Sequence, residues 1–133
     1  MTADPPSPAA GPRMRRGEAA QCRGIATEAA ACAALSRDGW TVLGRRLRTE
    51  AGEVDVVAER DGLLAIVEVK SRPTLADAAA ALSARQRGRL IAAAEILLAA
   101  HPGWGPAGVR FDVVVVDAAG RVRRIADAFR QGD

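Results

Sequence analysis

At 133 residues the chain has room for one domain with a single modest core. Its apolar content of 49% includes only two Phe, two Trp and no Tyr, so Ala, Val, Leu and Ile must fill that core, and recognition built mainly on aromatic base stacking is excluded. A net charge of +3 leans toward an anionic partner, while two cysteines ten positions apart and one histidine give neither a zinc site nor a disulfide framework and suit the cytoplasm.

Met1 to Gly17 is rich in Pro and Ala, ends in Arg13, Arg15 and Arg16, and has no apolar period. It reads as a disordered, weakly basic tail ahead of a single domain over 18–133, either attracting phosphate nonspecifically or simply solvated. No stretch approaches the roughly 18 apolar residues that cross a bilayer, and no compact apolar run of a signal peptide is present, so neither membrane insertion nor export is expected.

From Glu18 to Arg37 the Ala-rich sequence predicts a helix, with Ile25, Cys32 and Leu35 on one side and Glu28 beside them. Asp38-Gly39 should end it, since glycine takes the left-handed conformation that closes a helix. Trp40 to Leu47 then reads as a first strand. Gly52 leads into Glu53 to Ala58, and Leu63 to Lys70 is a further β-rich run, with Asp61-Gly62 between them as a strong hairpin signal. A two-residue loop sets Arg60 against Leu63, Asp55 opposite Glu68 and Lys70 opposite Glu53, with Asp55, Glu68, Lys70 and Glu53 on one face of the sheet.

After Pro73 a short helical piece through the alanines to Leu82 is expected, and Ser83-Ala84-Arg85-Gln86 fits a capping box opening a helix to about Ala100. Its apolar stripe is Leu90, Ala94, Leu97 and Leu98, with Gln86 one turn earlier on the same side. Phe111 to Val116 is a nearly continuous β-branched run, suited to a strand buried on both faces and reached by a helical crossover. A last strand falls around Val122 to Ile125. The predicted order is α-β-β-β-α-β-β, an α/β mixed sheet flanked by helices.

Two carboxylates opposed across a hairpin, with Cβ atoms roughly 4.5 to 5.5 Å apart, destabilise a sheet unless a cation lies between them. Mg²⁺ or Mn²⁺ would relieve that penalty, with Asp55, Glu68 and the Val69 carbonyl as oxygen donors. The alternative is a pair of ordinary solvated acids. Lys70 is the one lysine among 19 basic residues. It is a compact charge able to orient a water where arginine is not, or else the ion-pair partner of Glu53. Arg85, Arg87 and Arg89, with Arg45, Arg46, Arg48 and Arg72, form a candidate phosphate-binding surface, which as a charge cluster is equally readable as a solvated face.

Gly52-Glu53-Val54-Asp55, Glu68-Val69-Lys70-Ser71-Arg72 and Arg110-Phe111-Asp112-Val113-Val114, taken together in this order, resemble the YraN family over about Gly24 to Phe129. That family in turn resembles archaeal Holliday-junction resolvases of the PD-(D/E)xK restriction-endonuclease-like superfamily. The resemblance implies a restriction-endonuclease-like core and a metal-dependent endonuclease acting on DNA, including branched DNA, as a homodimer. The alternative is a nucleic-acid-binding module that keeps the fold without cutting. By position it implies that Asp55, Glu68 and Glu28 bind metal, that Lys70 positions the attacking water, and that Gln86 touches backbone phosphate or a metal-bound water. Glu28 also reads as a boundary acid, and Gln86 as a capping residue. The family's usual Lys-Gln pair appears here as Arg85-Gln86, and its usual asparagine ahead of the Gly-Glu-Val-Asp stretch appears as Arg46.

Overall fold

Helix α1 spans Pro12–Arg37 in the computed structural model, which describes residues 12–75 and 82–130 and the side chains of α1 from Gly24 onward. It begins ahead of the expected Glu18, because proline suits a first helical turn, where φ near −65° is wanted and the missing N–H has no intrahelical partner. The remainder of the expected tail, 1–11, lies outside the described residues. Ala31, Cys32 and Leu35 are buried as one stripe, whereas Ile25, expected among them, is 51% exposed. Two turns before Cys32, α1 borders an open cleft rather than the apolar face of the sheet. The helix ends where expected: Gly39 takes φ +87°, and the Trp40 N–H reaches back to the Leu35 carbonyl at 3.0 Å.

The strands are β1 (Thr41–Thr49), β2 (Gly52–Arg60), β3 (Leu63–Ser71), β4 (Gly108–Val116) and β5 (Val122–Phe129), with helix α2 (Ala84–Ala100) between β3 and β4. Ser83 caps α2, its Oγ accepting from the Gln86 N–H while Gln86 Oε1 accepts from the Ser83 N–H, so the capping box is as expected. The helical piece expected through the alanines after Pro73 lies largely at 76–81, outside the described residues.

Strand order follows the chain, β1-β2-β3-β4-β5, with β3 and β4 parallel and every other neighbouring pair antiparallel. The sheet is therefore mixed, and α2 is the crossover that parallel pairing requires. Val113 and Val115 pack under α2 with Val54, Val57, Leu64, Ile66, Leu90 and Leu97. Val114 and Val116 pack on the other face with Cys32, Leu35, Val56, Ala58 and Val67. That division explains the unbroken valine run, since β4 has an apolar partner on both sides. Asp61 and Gly62 both adopt positive φ, +51° and +80°, the mirror-image turn whose twist suits a hairpin, and Arg60 pairs with Leu63.

Both outer strands are irregular. In β1 the register shifts between Val42 and Gly44, and Arg46 sits at φ +49°; beside β5 it shifts between Phe111 and Val113, and Asp127 sits at φ +52°. Asp112 holds the second irregularity. Its buried carboxylate accepts Arg110 Nε at 2.8 Å, Arg110 Nη2 at 2.9 Å and the Asp127 N–H at 2.9 Å. The Arg110 guanidinium also stacks on Trp40, 5.1 Å from the ring centre, beside those of Arg60 and Arg124.

Removing one member of a buried ion pair strands the other, which typically costs about 3 kcal/mol or more. Asp112→Ala is expected to lower folding free energy by about 3 kcal/mol. Urea denaturation should show this as a lower midpoint at unchanged slope.

Candidate functional site

Strand β2 changes sides at Asp55. Val54 and Val57 pack in the α2 core and Val56 in the α1 core, so Val54 and Val56, which strict alternation would put on one face, lie on opposite faces. Backbone pairing with β3 is regular from Arg60↔Leu63 to Val56↔Val67 and stops there. One position further, the Val69 N–H donates to Asp55 Oδ2 at 2.8 Å, so a side-chain oxygen stands where a ladder carbonyl otherwise would. N–H and C=O of one strand residue face the same neighbour, so the Val69 carbonyl is directed into the same gap.

Asp55 and Glu68 meet at this point. The two acids and Gln86, together with Gly52, Glu53, Arg89 and Leu90, line a cavity of about 220 Å³ on the α2 side. A second cavity, about 340 Å³, opens on the α1 side and is lined by Gly24, Thr27, Glu28, Arg46, Glu53, Asp55 and Val69. Asp55 and Glu53 belong to both.

Burial, then the charges of Glu53 and Glu28, push the Asp55 carboxyl upward against the pull of the Val69 N–H. Glu68 is raised further, from 4.5 to about 7, by burial first and by the charge of Asp55 second, while Lys70 pulls it down. Lys70 Nζ lies 3.4 Å from Glu68 Oε1, with both side chains about one-fifth exposed. Lys70 therefore pairs with Glu68 and not with Glu53, whose nearest ion-pair partner is Arg48 at 3.7 Å. The reason is the early end of the ladder, which removes the cross-strand register that would have aligned Lys70 with Glu53.

The structure thus brings Asp55, Glu68, Lys70 and Gln86 together, while Glu28 shares the α1-side cavity with Asp55 and is paired with Arg46. The Glu28 carboxylate accepts Arg46 Nε at 2.8 Å. Among the described residues no three of His, Cys, Asp and Glu converge as a metal-ligating group. The carboxamide oxygen of Gln86 is committed to the cap, so its NH₂ is the end left to meet an acceptor. Of the arginines, Arg89 lines the α2-side cavity and Arg46 the α1-side one. Arg48 is 90% exposed beside Glu53, Arg72 donates to the Ser71 carbonyl at the end of β3, and Arg85 is exposed in the first turn of α2, lining neither cavity. The sequence offers Glu53 only as a partner for Lys70; its place in both cavities follows from the turn-over of β2, which no local pattern announces.

Fold and site together define a mixed α/β protein carrying a half-buried pair of acids with an amine beside them at one end of a hairpin. The chain belongs to the uncharacterised protein family UPF0102, whose family model matches residues 27–116. It is 64% identical over 118 residues to a UPF0102 protein of Granulibacter bethesdensis, covering 89% of this chain and 75% of that one. A UPF0102 protein of Azorhizobium caulinodans is 48% identical over 124 residues, covering 93% and 95%. One from Rhodopseudomonas palustris is 42% identical over 106 residues, covering 80% and 82%.

A carboxyl whose pKa is higher folded than unfolded contributes stability that is complete below the unfolded value and lost as pH rises through the folded one. For Glu68 that window runs from 4.5 to about 7. Asp117 and Asp127, lowered below 3.8, act only in more acidic solution. In chelator, the urea midpoint is expected to fall as pH rises from 4.5 to about 7, and Glu68→Gln should flatten that decline.

Proposed function

We propose that the chain is a metal-dependent endonuclease that hydrolyses phosphodiester bonds in DNA, branched DNA included. The observation that carries this reading is the Asp55–Glu68 pair, held half-buried with its negative charge poorly balanced and an amine 3.4 Å from Glu68. Nothing about folding requires two acids to share such a place, whereas a divalent cation turns their repulsion into binding.

The donors fit a hard cation. Two carboxylates and a backbone carbonyl supply oxygen only, which suits Mg²⁺ or Mn²⁺ and not a thiolate- or imidazole-seeking metal. Asp55 and Glu68 would hold it, with the Val69 carbonyl at the margin. The chemistry such an ion supplies when bound is Lewis acidity toward a phosphoryl oxygen and activation of water.

The chain's own residues supply the rest. Glu68, whose carboxyl burial and the Asp55 charge push up to about 7, would release its proton to solvent when a cation bound there. The Lys70 ammonium, already against Glu68, orients a water and steadies negative charge growing on the phosphate. The Gln86 NH₂ and the Arg89 guanidinium, on the α2-side wall, donate to backbone phosphate oxygens. A two-fold branched substrate would be met by a homodimer presenting one site to each arm. DNA as the substrate agrees with a cytoplasmic location. None of the helices among the described residues is long and apolar enough to cross a membrane.

One observation favours a second reading. Glu28 is tied to Arg46, and among the described residues no three acids converge as a metal-ligating group. A site in which only Asp55 and Glu68 meet can hold an ion on a DNA-binding module that does not cut.

Incubation of linear, nicked and four-way branched DNA with Mn²⁺ tests both. The wild type should cleave the branched form, Asp55→Ala should be inactive, and Lys70→Ala should be slower by about 100-fold or more. Equal cleavage by wild type and Lys70→Ala removes Lys70 from the chemistry. DNA binding without cleavage by any form selects the module.

A further inference from the structure

Arg46 is an arginine where the backbone does not favour one. Its φ of +49° is disfavoured for any residue with a Cβ, and glycine or asparagine fits better. It stands across from Asp55, between the pairs Arg45↔Val56 and Leu47↔Val54. What the position keeps, at the expense of backbone strain, is a guanidinium at the α1-side mouth of the acid pair.

That guanidinium is only partly used. Glu28 takes its Nε–H at 2.8 Å, and among the described residues no other acceptor engages the fork, whose Nη2 lies 3.7 Å from where a Cβ on Gly24 would be. The pair is also layered. The Glu28 side chain is 12% exposed and that of Arg46 is 41% exposed, so in the cavity both share with Asp55 the acid is the more enclosed and the cation the more open to solvent. A divalent ion at Asp55 attracts Glu28 and repels Arg46. A phosphodiester arriving from solvent attracts Arg46 and repels Glu28. Both ligands pull the contact apart in the same sense.

Resting on the acid-pair reading above, we propose that Glu28–Arg46 is a place-holder: the Glu28 carboxylate occupies Arg46 until a phosphodiester oxygen replaces it, and Glu28 then turns to the cation. Arg46 is then the phosphate-binding residue of the α1 side and Glu28 a latent metal ligand. Metal and DNA backbone bind cooperatively through this exchange of partners, and the coupling is reciprocal.

The test uses the full chain, with Mn²⁺ calorimetry in the presence and absence of a duplex, and fluorescence anisotropy of the duplex in Ca²⁺ at several salt concentrations. In the wild type the duplex should tighten Mn²⁺ binding by about tenfold, within the usual range of coupling between sites. Arg46→Asn, whose side chain tolerates the left-handed backbone, should tighten Mn²⁺ binding to the free protein, abolish the coupling and reduce the salt slope of DNA binding by about one. Adding Glu28→Gln to Arg46→Asn should cancel the gain in Mn²⁺ affinity. Glu28→Gln alone should also abolish the coupling, which keeps the proposal testable if Arg46→Asn folds poorly. Retention of wild-type coupling by either folded single variant, while Asp55→Ala still loses Mn²⁺ binding, overturns the exchange and leaves the acid-pair reading standing. Absence of Asp55-dependent Mn²⁺ binding in the wild type removes both.

Discussion

Repulsion between the carboxyls of Asp55 and Glu68 is the constraint around which this end of the molecule is arranged. The hairpin at Asp61-Gly62 fixes the register, and the register leaves the two acids no separate places to go. Each neighbouring feature answers that crowding. The ladder stops after Val56↔Val67, the Val69 N–H turns to Asp55, Lys70 leans on Glu68, and a proton stays on Glu68 to about pH 7. A sheet built for stability alone would place valines at both positions and continue its pairing.

The parts of this arrangement that lie close together in the chain were legible without coordinates. Asp-Gly between two β-rich runs gave the turn, counting back from it gave the acid pair, and Ser83 with Gln86 gave the start of α2, because each signal operates over a few residues. The valine run of β4 announced burial on both faces for the same reason. What could not be read was whatever depends on meeting a distant segment. Nothing local marks Asp55 as the position where β2 turns over, and so nothing showed that Lys70 would pair with Glu68 or that Glu53 would line two cavities. Glu28 and Arg46 lie on α1 and β1, and their contact exists only once α1 is laid across the sheet. Ile25 misled because periodicity says which side of a helix is apolar, not how far the surface beneath it extends. Pro12 opens the first helix inside a segment whose composition reads as unstructured, since composition does not weigh a proline's suitability for a first turn.

Asp112 shows the same division in a structural role. It belongs to the stretch from Arg110 to Val114 that helps carry the family resemblance, yet its carboxylate is filled by Arg110 and the Asp127 backbone. Its task is to hold the β4–β5 irregularity and to keep the Arg110 guanidinium on Trp40. A motif can therefore carry a resemblance through residues that shape the sheet as well as through those that line its site.

The two outer strands have one further property in common, a left-handed residue and a shifted register in their pairing, at Arg46 on one edge and Asp127 on the other. A straight edge exposes a row of unpaired N–H and C=O groups that can template another chain, and kinks interrupt that row. The arginines of β1 add charge along the same rim. Edge-to-edge growth into a continuous sheet is thus disfavoured at both borders, which guards against aggregation. It also directs any association of two copies to helices and loops.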